Sequence, residues 1–334
     1  MAAAAPGRIV RTKPSVLQVG KYFPPYRGGI ETHLQTLCSR LRGEVDLQTV
    51  VSNDNPRSSD EVVGGVEVKR LGRWLNIGAA PLCPSMLGVL QRSRADIVHI
   101  HLPNPVALLT FLISGHTGRL VLSYHSDVIR QRHLNLLYHP VLQRAIERSA
   151  ALIVASPNYI ESSPTLNRHR SRCSVIPYGI DYRDFDRIDS EKVAAIRRLY
   201  GQNLIVAVGR LVYYKGFEYL IRAMVGVDAN LVILGNGPLR TPLEKMAVTL
   251  GIASRVTLLD GVADLTPYYQ AADVFVLPSV ARSEAFGIVQ LEAMACRKPV
   301  INTALASGVP YVSLDGITGT TVPPADSEAL AAAL

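Results

Sequence analysis

Two successive series of short apolar segments, each followed by a turn and then by a stretch with apolar residues at helical spacing, leave this chain few possible folds. In the first series, strands are expected at 16–20, 46–51, 96–101, 119–124, 152–155 and 173–176. Helices are expected between them at 29–41, 82–92, 105–114 and 134–150, with an irregular glycine-containing stretch over 62–71. In the second series, strands at 204–208, 230–234, 256–259, 274–277 and 299–302 alternate with helices at 217–224, 239–250 and 265–271 and one within 283–295. Strands that are apolar throughout are buried on both faces, and alternation with helices places them in parallel sheets, so the class is α/β. The 334 residues accommodate two domains of about 150 residues each. The expected division is an N-terminal domain over 1–180 with a tail at 1–13, a charged linker over 181–189, and a C-terminal domain over 190–334. The final helix has barely begun at Leu334, the pattern expected of a C-terminal domain cut short.

Composition excludes several function classes. No apolar run approaches the roughly 20 residues of a membrane-spanning helix. The Ala-rich start, Met1 to Pro6, lacks the apolar core of a signal peptide, so a cytoplasmic location is expected. Cys38, Cys83, Cys173 and Cys296 are widely spaced, as reduced thiols are, and form neither a metal-binding nor a disulfide pattern. The net charge of +8 is uneven: the first 180 residues carry 21 Lys and Arg against 11 Asp and Glu, the remainder 14 against 16. A basic first half fits an anionic substrate or an anionic membrane surface. Nucleic acid is not expected, because neither a helix-turn-helix nor an RNA-recognition signature is present.

Candidate functional residues fall at the carboxyl ends of the expected strands, where open α/β sheets bind ligands. Glu284 lies in the loop before a helix and Glu292 inside that helix, with Ala285-Phe286-Gly287 between them. Backbone N–H groups at such a helix start can hold a phosphate or sugar oxygen, so the stretch reads as a ligand cradle. Arg210 and Lys215 follow a strand and precede a helix. Cations are poorly placed there unless an anion such as a diphosphate compensates them. Gly28-Gly29 before a helix suits a phosphate contact or an ordinary turn. Gly235-Asn236-Gly237 lacks the third glycine of a dinucleotide fingerprint. Of the strand-end histidines, His99 reads as a satisfied polar group and His125, followed by Ser126-Asp127, as functional. The triplet Asp184-Phe185-Asp186 lies in the linker and reads as solvated charge.

Taken in order, these motifs resemble the GT4 family of retaining glycosyltransferases. The resemblance runs from Lys21-Tyr22-Phe23-Pro24-Pro25 and Gly28-Gly29-Ile30-Glu31 through His99-Ile100-His101 and His125-Ser126-Asp127. It continues through Gly209-Arg210, Lys215-Gly216, Gly235-Asn236-Gly237-Pro238, Val276-Leu277-Pro278-Ser279 and the Glu284/Glu292 pair. It implies the GT-B fold, two Rossmann-like doubly wound domains facing across a cleft. It also implies roles. Arg210 and Lys215 bind the donor diphosphate, Gly28 and Gly29 close over it, Glu284 receives the sugar hydroxyls, and Glu292 the ribose hydroxyls. Amides around Phe286, Gly287 and Ile288 reach sugar and phosphate, and Gly261-Val262 frames the base. The loop of Gly235 and Gly237 belongs to the donor site, and His125 matches the active-site histidine. Family members carry further C-terminal helices that this chain does not reach.

The resemblance implies a hexosyltransferase that needs no cofactor and no metal, working by front-face displacement in which the leaving phosphate oxygen takes the acceptor proton. Bacterial polysaccharide and lipid-linked oligosaccharide mannosyltransferases are the nearest pattern, which makes GDP-mannose the expected donor and a UDP-sugar the alternative. The basic first half fits an acceptor on a polyprenyl diphosphate at the inner membrane face, with Arg130, Arg132, Arg144 and Arg148 as candidate contacts. An ordinary solvated helix face accounts for these arginines equally well. A non-catalytic sugar-nucleotide scaffold and a nicotinamide oxidoreductase are the rival readings. The latter requires a GxGxxG after the first strand, where this chain has Gly20-Lys21-Tyr22.

Overall fold

In the computed structural model, which describes residues 13–26, 28–77, 80–127 and 132–334, the uncharged apolar runs become central strands. Leu204-Ile205-Val206-Ala207-Val208 shows the reason. Ile205 and Ala207 enter one hydrophobic core and Leu204, Val206 and Val208 another, so both faces of the strand are covered and no position tolerates charge.

The first half contains β1 (Ser15–Val19), α1 (Gly29–Leu41), β2 (Asp46–Ser52), β3 (Ser59–Val63), β4 (Val66–Leu71), β5 (Leu75–Ile77) and β6 (Ala80–Leu82). It continues with α2 (Ser85–Arg92), β7 (Ile97–Leu102), α3 (Pro105–Ser114), β8 (Arg119–Tyr124), α4 (Arg132–Arg148) and β9 (Ser149–Val154). Then come α5 (Pro157–Ser162), α6 (Pro164–Arg168) and β10 (Cys173–Val175). The eight-stranded sheet has the order β10-β9-β8-β7-β1-β2-β4-β3. β1 pairs in parallel with β2 and β7, and β2 in parallel with β4.

The stretch expected to be irregular, 62–71, is a hairpin instead: β3 and β4 pair antiparallel from Ser59↔Arg70 to Val63↔Val66. Val66 and Val68 alternate with exposed Glu67 and Lys69, the pattern of a half-buried strand, and Gly64 and Gly65 supply the positive φ values of a two-residue turn. A second short hairpin, β5 with β6, was equally hidden in a segment rich in turn residues.

The second half holds α7 (Arg183–Asp186), α8 (Ser190–Tyr200), β11 (Leu204–Val208), α9 (Phe217–Ala223), β12 (Asn230–Leu234), α10 (Arg240–Thr249) and β13 (Val256–Leu259). It ends with α11 (Thr266–Ala271), β14 (Val274–Val276), α12 (Ile288–Ala295), β15 (Val300–Thr303), α13 (Val309–Val312), β16 (Gly319–Val322) and α14 (Ser327–Ala333). Six strands in the order β13-β12-β11-β14-β15-β16 pair in parallel throughout. Chain order reverses between β11 and β14, which makes their carboxyl ends the switch point of a doubly wound sheet. β16, unanticipated as a strand, adds Thr320, Thr321 and Val322 to the edge, and Asp326 caps α14 by accepting from the Ala329 N–H at 2.9 Å.

Two compact units emerge. Among the described residues, one comprises those up to 123 with 132–152, and the other 124–127 with 153–334. Asp184 and Asp186 are exposed on the short α7. No helix among the described residues is long and apolar enough to cross a membrane. Arg130 and the side chain of Arg132 lie outside the described residues. Arg144 is exposed 3.4 Å from Glu147, and Arg148 lies over the Phe111 ring.

In the first unit His99 is buried and shares a 2.7 Å hydrogen bond with Ser123. Burial, reinforced by nearby His33, lowers its pKa to about 4, and burial alone lowers that of His33 to about 4. Both imidazoles are therefore harder to protonate folded than unfolded. The stability they contribute is present above pH 6.5 and lost as pH falls toward 4. The melting temperature should fall across that window, and His99→Gln should make the decline shallower in melts recorded from pH 7 to pH 4.

Candidate functional site

The site grows out of the loops that leave four adjacent strands of the second sheet. After β11 the chain passes through Gly209 and exposed Arg210 into a single 3-10 turn, Tyr213–Lys215, whose last residue turns inward and is buried. After β14 it runs through buried Ser279 into a turn in which the Glu284 N–H bonds to the Ala281 carbonyl at 3.0 Å. These two loops meet because their strands are neighbours. Lys215 Nζ lies 2.6 Å from Glu284 Oε2, with both side chains about one-tenth exposed. Ser279 Oγ donates to the same carboxylate oxygen at 3.3 Å. Tyr213 and Ser283 add a hydroxyl pair at 3.3 Å across the same two loops.

Phe286 and Ile288 are buried with Ala155, and Gly287 forms the N-cap of α12. Having no side chain, Gly287 gives the helix no side-chain cap, and its carbonyl accepts from the Gln290 N–H at 3.0 Å, so the amides ahead of Gln290 are the ones available to an anion. One turn further along, Glu292 accepts a 2.6 Å hydrogen bond from the Tyr269 hydroxyl. Burial raises the Glu292 pKa against the opposing pull of that hydrogen bond and of the Lys215 charge. The two glutamates thus sit in different electrostatic surroundings: Glu284 has a cation in contact, whereas Glu292 rests on a phenol.

After β12, Gly235 and Gly237 form a loop laid against the Arg210 loop, where the Leu211 N–H donates to the Asn236 carbonyl at 2.9 Å. A Cβ at Gly235 would collide with the Gly209 carbonyl oxygen, and its φ of +157° lies where side chains are rarely tolerated, so only glycine lets these loops touch. Val262, beyond β13, packs on the core formed by Tyr269 and Leu277. In the first unit, Gly28 is the N-cap of α1 and Gly29 its first residue, the latter exposed.

His125 is buried, and its Nδ1 shares a hydrogen bond with the Tyr178 hydroxyl. The Tyr178 ring stands 4.7 Å from that of Phe286, and burial raises its pKa, so the phenol keeps its proton. Sequence reasoning assigned no role to Tyr178, nor to Asp127, Arg282 or Tyr269. Tyr178 stands in the Pro177-Tyr178-Gly179 break, and Arg282 is a lone cation among small residues beside Glu284. Both signals were available but ambiguous.

The comparisons with known proteins agree with this architecture. The family described as Glycosyltransferase Family 4 matches residues 27–184, and that described as Glycosyl transferases group 1 matches residues 189–334. The chain is 33% identical to the D-rhamnosyltransferase WbpZ of Pseudomonas aeruginosa, covering 94% of this chain and 83% of that protein. It is 32% identical to the O-antigen chain mannosyltransferase C of Escherichia coli, covering 96% and 87%. Among solved structures, Anabaena Alr3699/HepE in complex with UDP and glucose superposes with a TM-score of 0.78 at 21% identity, covering 96% of this chain and 88% of that one, a likeness of fold.

The raised Glu292 carboxyl yields a stability test. Its folded pKa exceeds the unfolded 4.5, so the stability it contributes is present below pH 4.5 and lost as pH rises. Glu292→Gln keeps an acceptor for Tyr269 without the charge. It should melt above wild type at neutral pH, and the advantage should vanish below pH 4.5 in a pH series of thermal melts.

Proposed function

This chain belongs to the GT4 family of retaining glycosyltransferases with the GT-B fold, and on that premise we propose that it transfers mannose from GDP-mannose to a saccharide carried on a polyprenyl diphosphate. The observation that supports a sugar diphosphate is the buried Lys215–Glu284 pair beside the uncapped start of α12. It offers a cation for phosphate and a carboxylate for hydroxyls, followed in the chain by the first amides of α12. Mannose is favoured by the likeness to the E. coli mannosyltransferase, and GDP is the carrier expected with it. The basic first half favours an anionic acceptor at a membrane face, with Arg144 and Arg148 as candidate contacts.

In this reading Arg210 and Lys215 bind the diphosphate, Glu284 receives sugar hydroxyls, and Glu292 the ribose hydroxyls. Amides at Phe286, Gly287 and Ile288 approach sugar and phosphate, the Gly235 and Gly237 loop admits the donor closely, and Val262 borders the base. Gly28 and Gly29 offer the α1 amides to an anion. His125 acts beside the sugar. Cleavage of the anomeric C–O bond puts negative charge on the departing diphosphate, and the two cations with the α12 amides stabilise that charge without a metal. The leaving phosphate oxygen accepts the acceptor's proton as the new glycosidic bond forms on the same face, so neither glutamate serves as a nucleophile.

A thermal-shift panel of GDP, UDP and ADP with their sugars should show GDP-mannose giving the largest stabilisation. A response confined to UDP-sugars removes the mannosyl assignment, and donor binding without transfer to any lipid-linked saccharide supports a scaffold instead.

Lys215→Ala alone strands a buried carboxylate, at a cost of about 3–5 kcal/mol. The cleaner variant is therefore Lys215→Met with Glu284→Gln. Calorimetry should find its affinity for free GDP lowered at least about tenfold, the loss of one charge-assisted contact. Unchanged affinity removes Lys215 from the diphosphate site.

A further inference from the structure

The loops carrying His125 and Glu284 are tied together twice within the second unit. Arg282, two residues before Glu284, places Nη2 3.3 Å from Asp127 Oδ2, and Asp127 lies two residues beyond His125. Nη1 of the same guanidinium donates to the Ser162 carbonyl. At the other end of the two loops, His125 bonds to Tyr178, which packs on Phe286, two residues beyond Glu284. Glu284 is thus held between two ties that both lead to the His125 segment.

Asp127 is itself fixed. Its Oδ1 accepts from the Tyr124 hydroxyl at 2.7 Å and the Ser163 hydroxyl at 2.8 Å, and its N–H donates to the Tyr159 hydroxyl at 2.7 Å. Tyr159 and Ser163 are buried, so these hydrogen bonds are shielded from competing water. Asp127 Oδ2 is buried and accepts no hydrogen bond among the described residues, leaving the Arg282 charge to compensate it. The Arg282 side chain is about one-third exposed, and its guanidinium spans the carboxylate and a carbonyl at once, which a lysine ammonium on a flexible stem does less well.

We propose that Arg282 is a positioning residue, which through Asp127 sets the spacing between His125 and Glu284. This rests on the roles proposed above for those two residues. A reacting group displaced by about 1 Å can lose on the order of a hundredfold in rate, so a tie of this kind acts on turnover more than on binding.

The test uses the full chain and three variants, Arg282→Met, Arg282→Lys and the double variant Asp127→Asn with Arg282→Met, which leaves no buried charge unpaired. Transfer kinetics with GDP-mannose are read beside calorimetric affinity for free GDP and the His125 imidazole NMR signal, assigned by its loss in His125→Asn. Arg282→Met should lower kcat by up to about a hundredfold, leave GDP affinity unchanged and shift the His125 signal, with Arg282→Lys recovering part of both. The double variant should melt like wild type yet remain slow. If it regains wild-type kcat, or if the His125 signal is unmoved in Arg282→Met, the ion pair serves stability alone and the proposal is overturned. A wild-type protein that turns over no sugar nucleotide defeats the proposed function, while the His125 signal still decides the positioning role.

Discussion

The buried contact between Lys215 and Glu284 is the interaction on which the rest of the second unit's site depends. Two charges withdrawn from water each lose several kcal/mol of solvation, and the loss is recovered only by close, well-aligned pairing. At 2.6 Å with Ser279 as an additional donor, that condition is met. It could be met only where the loops after β11 and β14 emerge side by side, at the reversal of strand order. The same placement leaves the amides of α12 beside a cation and a carboxylate.

Around this pair, fully hydrogen-bonded polar groups hold the backbone that leads into α12. Gln290 donates to the Phe286 carbonyl at 3.2 Å, Asn302 donates to Gln290 at 2.9 Å, and Thr321 donates to Asn302 at 2.8 Å. Each member is buried or nearly so, and a satisfied buried network is stiff because any rearrangement leaves a polar atom unpaired. β16, at the sheet's edge, contributes Thr321 and so reaches the start of α12 through two side chains. Tyr269 supports Glu292 by the same logic, with a phenol whose proton burial retains.

Much of the fold could be read directly from residue pattern, because a strand buried on both faces must be apolar at every position and a covering helix must repeat its apolar stripe. β1, β7, β8, β11, β12 and β13 were expected within about a residue of where they lie. The β3–β4 hairpin escaped because half-burial gives alternation, and alternation interrupted by two glycines resembles a loop. β16 escaped because threonines at an edge are polar and β-formers at once. In the site, the strand-end position of Arg210, Lys215, Glu284 and His125 was legible. Their partners were not, since nothing in the spacing of Lys215 and Glu284, of His125 and Tyr178, or of Asp127 and Arg282 encodes contact across 53 to 155 residues.

The sequence by itself determined the class of fold, the parallel core of both sheets and the family, because local periodicity and short ordered motifs are properties of neighbouring residues. Tertiary structure alone decided that Lys215 faces Glu284, that Glu292 rests on Tyr269, and that Arg282 reaches Asp127. Those pairings depend on which strands lie side by side and on which polar groups burial forces to find a partner, and both are set only when distant segments pack.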